Sequence, residues 1–159
     1  MAEDAKFEDG GEKPLHLKAE TADDVPVMAA LVQDAVLSII DMSWQPKLRR
    51  LALLINRFRW EDQAAAEARG RPYERVRSLL VIDGVTGVAS QGIDRGDKEA
   101  VLSLLDIHWT SGEDAAGRVE LVLAGDGGIA AEVECLDLTL KDVTRPYAAP
   151  SGKVPGHPE

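Results

Sequence analysis

Aromatic side chains, cysteine and long apolar runs are all scarce in this sequence, and each scarcity excludes a class of protein. Aromatic residues make up only 4% of the 159 residues, too few for the stacking surfaces that bind single-stranded nucleic acids. The single cysteine, Cys135, cannot form an intramolecular disulfide and fits a reducing compartment. The longest aliphatic run, Leu51 to Ile55, is far shorter than the roughly 20 residues that span a bilayer.

Basic residues are also in the minority. Lys and Arg total 18 against 28 Asp and Glu, so the net charge is −10. A field of this sign keeps a protein soluble and repels polyphosphates, so we expect neither nucleic acid nor a membrane as a partner. Residues 1–11 lack the basic start and apolar stretch of a secretory signal. These features predict an acidic, soluble, cytoplasmic protein.

The distribution of apolar residues predicts one α+β domain between two extended ends. Residues 1–13 are acidic and poor in apolar groups, which predicts a disordered acidic tail. Residues 145–159 contain four prolines and are predicted to be an extended Pro-rich C-terminal tail. The segment 14–144 between them is long enough to bury a core of its own.

Inside this domain the sequence predicts one helix followed by strands. Asp23 and Asp24 before Pro26 indicate a helix start, and apolar residues at three- and four-residue spacing continue to Ile39. Segment 61–72 is predicted to be either a loop or a short helix. Asp83-Gly84 between two apolar runs predicts a tight hairpin. The expected architecture is a curved antiparallel sheet or partial barrel of about seven strands packed on one N-terminal helix.

A basic island stands out in this acidic chain. Between Lys47 and Arg77 lie nine of the 18 basic residues and only four acidic ones, a net charge of +5 that leaves −15 for the rest. All but one of the nine are arginines, whose guanidinium groups match carboxylates and phosphates. The island therefore suggests a site for an anion.

Segments 49–60 and 75–82 are predicted strands that carry arginines of the island, and a register between them makes this hypothesis specific. If Ile55 lies opposite Leu79, then apolar residues face each other, Arg57 lies opposite Arg77, and Arg59 lies opposite Arg75. The four arginines would then project from one face, where like charges require a compensating anion. Trp60 follows directly and is a candidate wall on which a ligand could stack. The alternative is that the protein's own carboxylates neutralise the arginines.

The remaining chemical candidates give no catalytic or metal motif. The three histidines are far apart, and His108 is interpreted as a structural residue. Cys135 has no adjacent basic group and is interpreted as a small core residue. Glu132 and Glu134 are better explained as an exposed strand face than as metal ligands. We therefore predict no catalytic residue, no metal and no cofactor.

Several stretches resemble a known bacterial family. They are Leu31 to Val36 (LVQDAV), Trp44 to Lys47 (WQPK), Asn56 to Glu61 (NRFRWE) and Asp142 to Tyr147 (DVTRPY). Together they resemble a family catalogued as a domain of unknown function, number 2948, along nearly the whole chain from Leu15 to Pro158. The resemblance implies a bacterial cytoplasmic protein and implies no activity, cofactor or catalytic residue.

The sequence favours a non-catalytic protein over an enzyme. The first hypothesis is a module that binds an anionic small molecule or an acidic protein segment through an arginine-rich sheet face. Its expected ligand-binding residues are Arg57, Arg59, Arg75, Arg77 and Trp60. The alternative is an accessory or oligomeric protein, for instance a homodimer, that acts by protein–protein contact through a sheet edge or the C-terminal tail.

Overall fold

A computed structural model describes residues 13–156, which form an antiparallel sheet with two short helices. The strands among these residues are β1 (His16–Ala19), β2 (Ala35–Ser38), β3 (Met42–Gln45), β4 (Arg50–Phe58), β5 (Glu74–Asp83), β6 (Val85–Gln91), β7 (Val101–Ser111), β8 (Gly117–Leu123), β9 (Gly127–Val133), β10 (Leu138–Asp142) and β11 (Tyr147–Ala148). The helices are α1 (Asp24–Val32) and α2 (Gln63–Arg69). Short 3-10 turns at 39–41 and 46–48 flank β3, and a third at 60–62 lies between β4 and α2.

The predicted antiparallel α+β class is confirmed, but the predicted number of elements is too low. The described residues contain eleven strands and two helices rather than about seven strands on one helix. The predicted acidic tail at 1–13 lies outside the described residues except for its last residue. No helix in the range 13–156 has the length and apolar character needed to cross a membrane.

Helix α1 ends earlier than its apolar spacing predicts. Asp34 has a φ of 63°, a left-handed conformation that does not continue a helix. Ala35, predicted on the helix, instead lies in β2 opposite Leu104 of β7. Met28 and Val32 are fully buried in the main core, so the apolar face of the helix packs where its spacing indicated.

The sheet follows the order β1-β10-β5-β4-β2-β7-β8-β9-β6, with β3 also on β4 and β11 also on β5. The predicted Asp83-Gly84 hairpin is wrong, because β5 pairs with β4 and β10 whereas β6 pairs with β9. Gly84, with a φ of 72°, instead forms a bend at which β5 continues into β6. The Glu134 N–H donates to the Gly84 carbonyl at 2.9 Å, so the segment directly after β9 follows the bend.

The register between β4 and β5 positions the arginines. Ile55 lies opposite Ser78, and Arg57 lies opposite Val76. This is one residue away from the predicted pairing of Ile55 with Leu79. Because successive side chains on a strand point to opposite faces, a shift of one residue exchanges the faces of one strand relative to the other.

The start of the C-terminal segment packs on the same region. Tyr147 of β11 lies opposite Arg75 of β5, and Ala149 is buried. The Ala149 N–H donates to the Tyr73 carbonyl at 2.7 Å. These contacts bring residues 147–149 against the end of the sheet where the basic island lies.

Candidate functional site

The four predicted arginines do not share a face. Arg57 and Arg59 are almost completely buried, with Arg57 on the core side of β4 beside Leu53 and Ile55. Arg75 and Arg77 point to the other side of β5, which we call the outer face, while Val76 and Ser78 are buried. The prediction of a single four-arginine face is therefore wrong, and its cause is the one-residue difference in register.

Arg57 is completely buried and is neutralised by carboxylates of the same chain. Its Nη1 and Nη2 donate to the two carboxylate oxygens of Glu61 at 2.9 and 2.8 Å. Nη2 also donates to Asp142 Oδ1 at 3.0 Å, and Nε donates to Ser78 Oγ at 3.0 Å. A buried guanidinium requires such partners because an uncompensated charge in a protein interior is costly.

Asp142 is shared between this arginine and the backbone. Its Oδ1 accepts a hydrogen bond from the Ser78 hydroxyl at 2.6 Å, and its Oδ2 accepts the Leu15 N–H at 2.9 Å. Burial acts to lower the pKa of Arg57, but the bonds and charges of Glu61 and Asp142 outweigh it, and the pKa is raised. The Arg57 side chain therefore remains charged. Its bonds to Ser78 and Asp142 connect β4 with β5 and β10, and Asp142 in turn bonds Leu15, the residue before β1.

Arg59 belongs to a second, adjacent set of ion pairs. Its guanidinium contacts Glu74 and lies 3.8 Å from Asp62 and 3.7 Å from Glu61. Arg71 completes the set with two parallel bonds to Asp62, at 2.9 and 3.1 Å. The hydrogen bond to Asp62 is the main cause that raises the pKa of Arg71. The alternative interpretation, neutralisation by internal carboxylates, thus holds for Arg57 and Arg59.

Arg75 has a different environment. It is half-buried on the outer face, and Nε donates to Asn56 Oδ1 at 2.7 Å while Nη2 donates to the Asn56 carbonyl at 2.9 Å. Asn56 is itself held, because its Nδ2 donates to the Tyr147 hydroxyl at 2.5 Å. Burial lowers the pKa of Arg75, against smaller opposing effects of Tyr147 and Asp34. No carboxylate among residues 13–156 lies within ion-pair distance of it.

Two exposed basic residues extend this region. Arg77 lies two residues along β5 on the same face, and its backbone N–H donates to the Thr144 hydroxyl at 3.1 Å. Lys141 of β10 lies opposite Leu79 and is therefore a diagonal neighbour of Arg77. Neither side chain forms an ion pair with any carboxylate of the described part of the chain. We call Arg75, Arg77 and Lys141 the outer basic face.

Trp60 lies near this face but is fixed by packing. Its indole N–H donates to the Gln33 carbonyl at 2.9 Å, and its ring meets Phe58 edge-on with centroids 4.7 Å apart. Phe58 lies opposite Arg75 in the sheet. The tryptophan therefore closes the end of the sheet next to Arg75.

Cys135 and the acidic residues near it lie at the surface, where the two glutamates form ion pairs. Cys135 is exposed, so its interpretation as a core residue is wrong; it lies in the bend between β9 and β10. Glu132 pairs with Arg118 at 2.6 Å, and Glu134 pairs with Arg49. Residues 13–156 hold no cluster of three or more potential metal ligands.

A comparison with protein families decides the membership suggested by the sequence motifs. A family model described as a protein of unknown function (DUF2948) matches residues 15–157. The chain belongs to the DUF2948 family. Neither the comparison with curated proteins nor the comparison with solved structures finds a match. The matched range contains both the buried arginines and the outer basic face, so both lie within the DUF2948 domain.

Asp142, Asn56, Tyr147 and Lys141 help to organise this DUF2948 site and were not predicted, although the sequence contains a signal for the pair of Asp142 with Arg57. Leu51, Leu53 and Ile55 alternate inward along β4, and Arg57 continues the same alternation. Asp142 does the same after Leu138 and Leu140 of β10. A cation and an anion that both occupy buried positions indicate an internal pair. Asn56, Tyr147 and Lys141 gave no comparable signal.

Proposed function

We propose that this protein is a non-catalytic module that binds an acidic protein segment through the outer basic face. The proposal keeps Arg75 and Arg77 as ligand-binding residues and adds Lys141. It assigns Arg57 and Arg59 to the scaffold, since their charges are compensated inside the protein. Trp60 is assigned to the wall beside Arg75.

The observation that carries the proposal is the half-buried guanidinium of Arg75. A neutral amide, Asn56, orients it through two hydrogen bonds, and no carboxylate within residues 13–156 pairs with it. Orientation by neutral groups, without a direct carboxylate ion pair, is expected where a side chain is prepared for an external anion. Arg77 and Lys141 add two exposed positive charges beside it, which an anion would also stabilise.

The shape of the face favours an extended acidic segment as the anion. Arg75 and Arg77 alternate along one strand, so their attachment points are about 7 Å apart. An extended chain presents its own alternate side chains at the same period. The net charge of the whole chain is −10, and the acidic surface outside this face repels acidic segments, which restricts their binding to this face.

The proposal is tested by the binding of a fluorescent oligoglutamate peptide to the full chain, measured by anisotropy. Replacing both arginines (R75Q and R77Q) should weaken binding by at least about tenfold, because two charge-assisted contacts are lost. The matched control is R95Q, which removes one exposed arginine outside the face. It should change the dissociation constant less than about twofold.

Three outcomes distinguish the alternatives. Absence of peptide binding to the wild-type chain, or equal weakening by R95Q, would contradict the proposal. Stabilisation of the wild type by inorganic phosphate, lost in R75Q and R77Q, would indicate a phosphorylated ligand at the same arginines. Differential scanning fluorimetry measures this stabilisation.

A second candidate function is action by protein–protein contact at a sheet edge. The C-terminal tail is the weaker route, because Tyr147 and Ala148 already pair with β5 of the same chain. The specific observation that favours contact at a sheet edge is the exposed apolar surface around strand β3.

A further inference from the structure

Exposed large apolar side chains concentrate around one short edge strand. Ile40, Trp44 and Leu48 lie on β3 and the two turns that flank it, with exposed fractions of 67%, 37% and 61%. Val101, exposed to 70%, begins β7 opposite Ser38, and the Ile40 N–H donates to the Lys98 carbonyl nearby. Exposed apolar side chains that are concentrated in one region mark an interaction site more often than scattered apolar residues do.

Strand β3 has an unused edge at the centre of this surface. Its four residues pair with β4, from Met42 opposite Leu53 to Gln45 opposite Arg50. No other strand among the described residues pairs with it. The backbone groups of its second edge can therefore pair with a strand from another molecule.

The sequence around β3 is complementary to itself. If two copies of β3 pair antiparallel about a twofold axis at Trp44, the turn at 39–41 of one copy lies beside the turn at 46–48 of the other, so Ile40 lies near Leu48 of the other copy. Asp41 then lies near Lys47 of the other copy, and the two Trp44 side chains meet at the axis. Apolar residues face apolar residues, and an acid faces a base on both sides of the axis. Asp41 can take part because its Oδ2 accepts the Ser38 N–H at 3.2 Å, which leaves Oδ1 for the lysine.

We infer that β3 is the centre of a homodimer interface, in which β3 pairs antiparallel with β3 of a second copy. A twofold axis produces this pairing of a surface with itself. Trp is enriched at the centres of interfaces, where it is shielded from water. A second copy supplies at once backbone partners for β3 and apolar and charged partners for the two turns that flank it, while the Ile40 N–H stays bonded to the Lys98 carbonyl. The interface is separate from the outer basic face and does not depend on binding there; it makes the second candidate function, contact at a sheet edge, specific to a second copy of this chain.

Sedimentation velocity of the full chain tests the interface. The wild type should be dimeric, and Ile40→Lys should raise the dimer dissociation constant at least about tenfold, because each copy would place a charge against Leu48. Val27→Lys is the matched control, since Val27 is also an exposed apolar residue (55%) but lies on helix α1. It should leave the constant within about twofold of the wild type.

Cross-linking tests the register itself. In a chain that also carries C135S, Trp44→Cys should form an intermolecular disulfide under mild oxidation, because residues at the axis lie directly opposite each other. Ser151→Cys, exposed and distant in sequence, should not. Circular dichroism confirms that each variant is folded.

The inference is overturned by a wild type that is monomeric at concentrations of about 100 µM, well above a typical micromolar dissociation constant. This outcome would leave β3 for another protein. A dimer that Ile40→Lys does not weaken, or a cross-link at Ser151 as strong as that at Trp44, would place the interface elsewhere.

Discussion

Arg57 illustrates how one residue can be read in two ways. In the sequence it belongs to a basic island, and in the fold it is the most deeply buried charged residue between positions 13 and 156. Three side chains from separate elements surround it: Glu61, Ser78 and Asp142. Its near neighbour in space, Arg75, has a different environment, because an amide holds it rather than a carboxylate.

At the residue scale, we predict that Asp142→Asn destabilises the protein strongly. The substitution removes a charge that compensates Arg57 and weakens the bonds to Ser78 and Leu15, so the free energy of unfolding should fall by roughly 3 kcal/mol. Urea denaturation followed by circular dichroism measures it. The matched control is Glu132→Gln, which breaks the exposed pair with Arg118 and should cost less than about 1 kcal/mol. Similar losses in the two variants would contradict the role given to Asp142.

At the scale of elements, the packing of neighbouring strands depends on a close approach between them as well as on the alternation of apolar and polar side chains. Gly117 begins β8 opposite Ser111 of β7. A methyl group at this position would overlap the Thr110 carbonyl and the Trp109 ring. Gly87 in β6 differs, because nothing lies within 4 Å of the position that a Cβ would occupy.

These two glycines give a paired prediction. Gly117→Ala should lower the free energy of unfolding by about 2 kcal/mol, because backbone and an indole ring must shift to accommodate the methyl group. Gly87→Ala should be neutral or stabilise by up to about 0.5 kcal/mol through the reduced entropy of the unfolded chain. Thermal and urea denaturation measure both. Tolerance of alanine at both positions would show that β7 and β8 can separate without cost.

Alternation along single strands was predictable from the sequence, whereas the pairing between them was not. Segment 79–82 of β5 is Leu-Leu-Val-Ile, apolar at both parities, so nothing in it indicates which side chains face the core. Two registers one residue apart were equally consistent with this pattern, and the wrong one placed all four arginines together. The early end of α1, which left-handed Asp34 follows, and the bend at Gly84 depend on backbone angles that apolar spacing does not reveal.

At the scale of the whole molecule, residues from both ends of the chain complete the sheet. Strand β1 pairs with β10, and Leu15 bonds to Asp142 across 127 positions of sequence. Strand β11 adds Tyr147 to the same end, where its hydroxyl accepts a hydrogen bond from Asn56. The candidate site is therefore a product of the full domain rather than of the basic island alone.

We predict that deletion of residues 145–159 affects both stability and binding. It removes β11, the buried Ala149 and the Tyr147 hydroxyl that holds Asn56, so the free energy of unfolding should fall by more than about 1 kcal/mol. Affinity for oligoglutamate should also fall, because Asn56 no longer fixes Arg75. Deletion of 153–159 alone is the control and should change neither quantity. If the longer deletion also changes neither, Tyr147 does not help to organise the site.

The distance in sequence between Arg57 and Asp142 has a consequence for biosynthesis. While the ribosome is still adding the residues between them, a nascent chain can pair β4 with β5 and place Glu61 against the arginine, but it has neither Asp142 nor the strand β10 that carries it. Arg57 then has one of its two carboxylate partners, and the edge of β5 that β10 will cover is still open to water. Final closure therefore waits until translation has passed position 142, and β1, although made first, is among the last strands to dock.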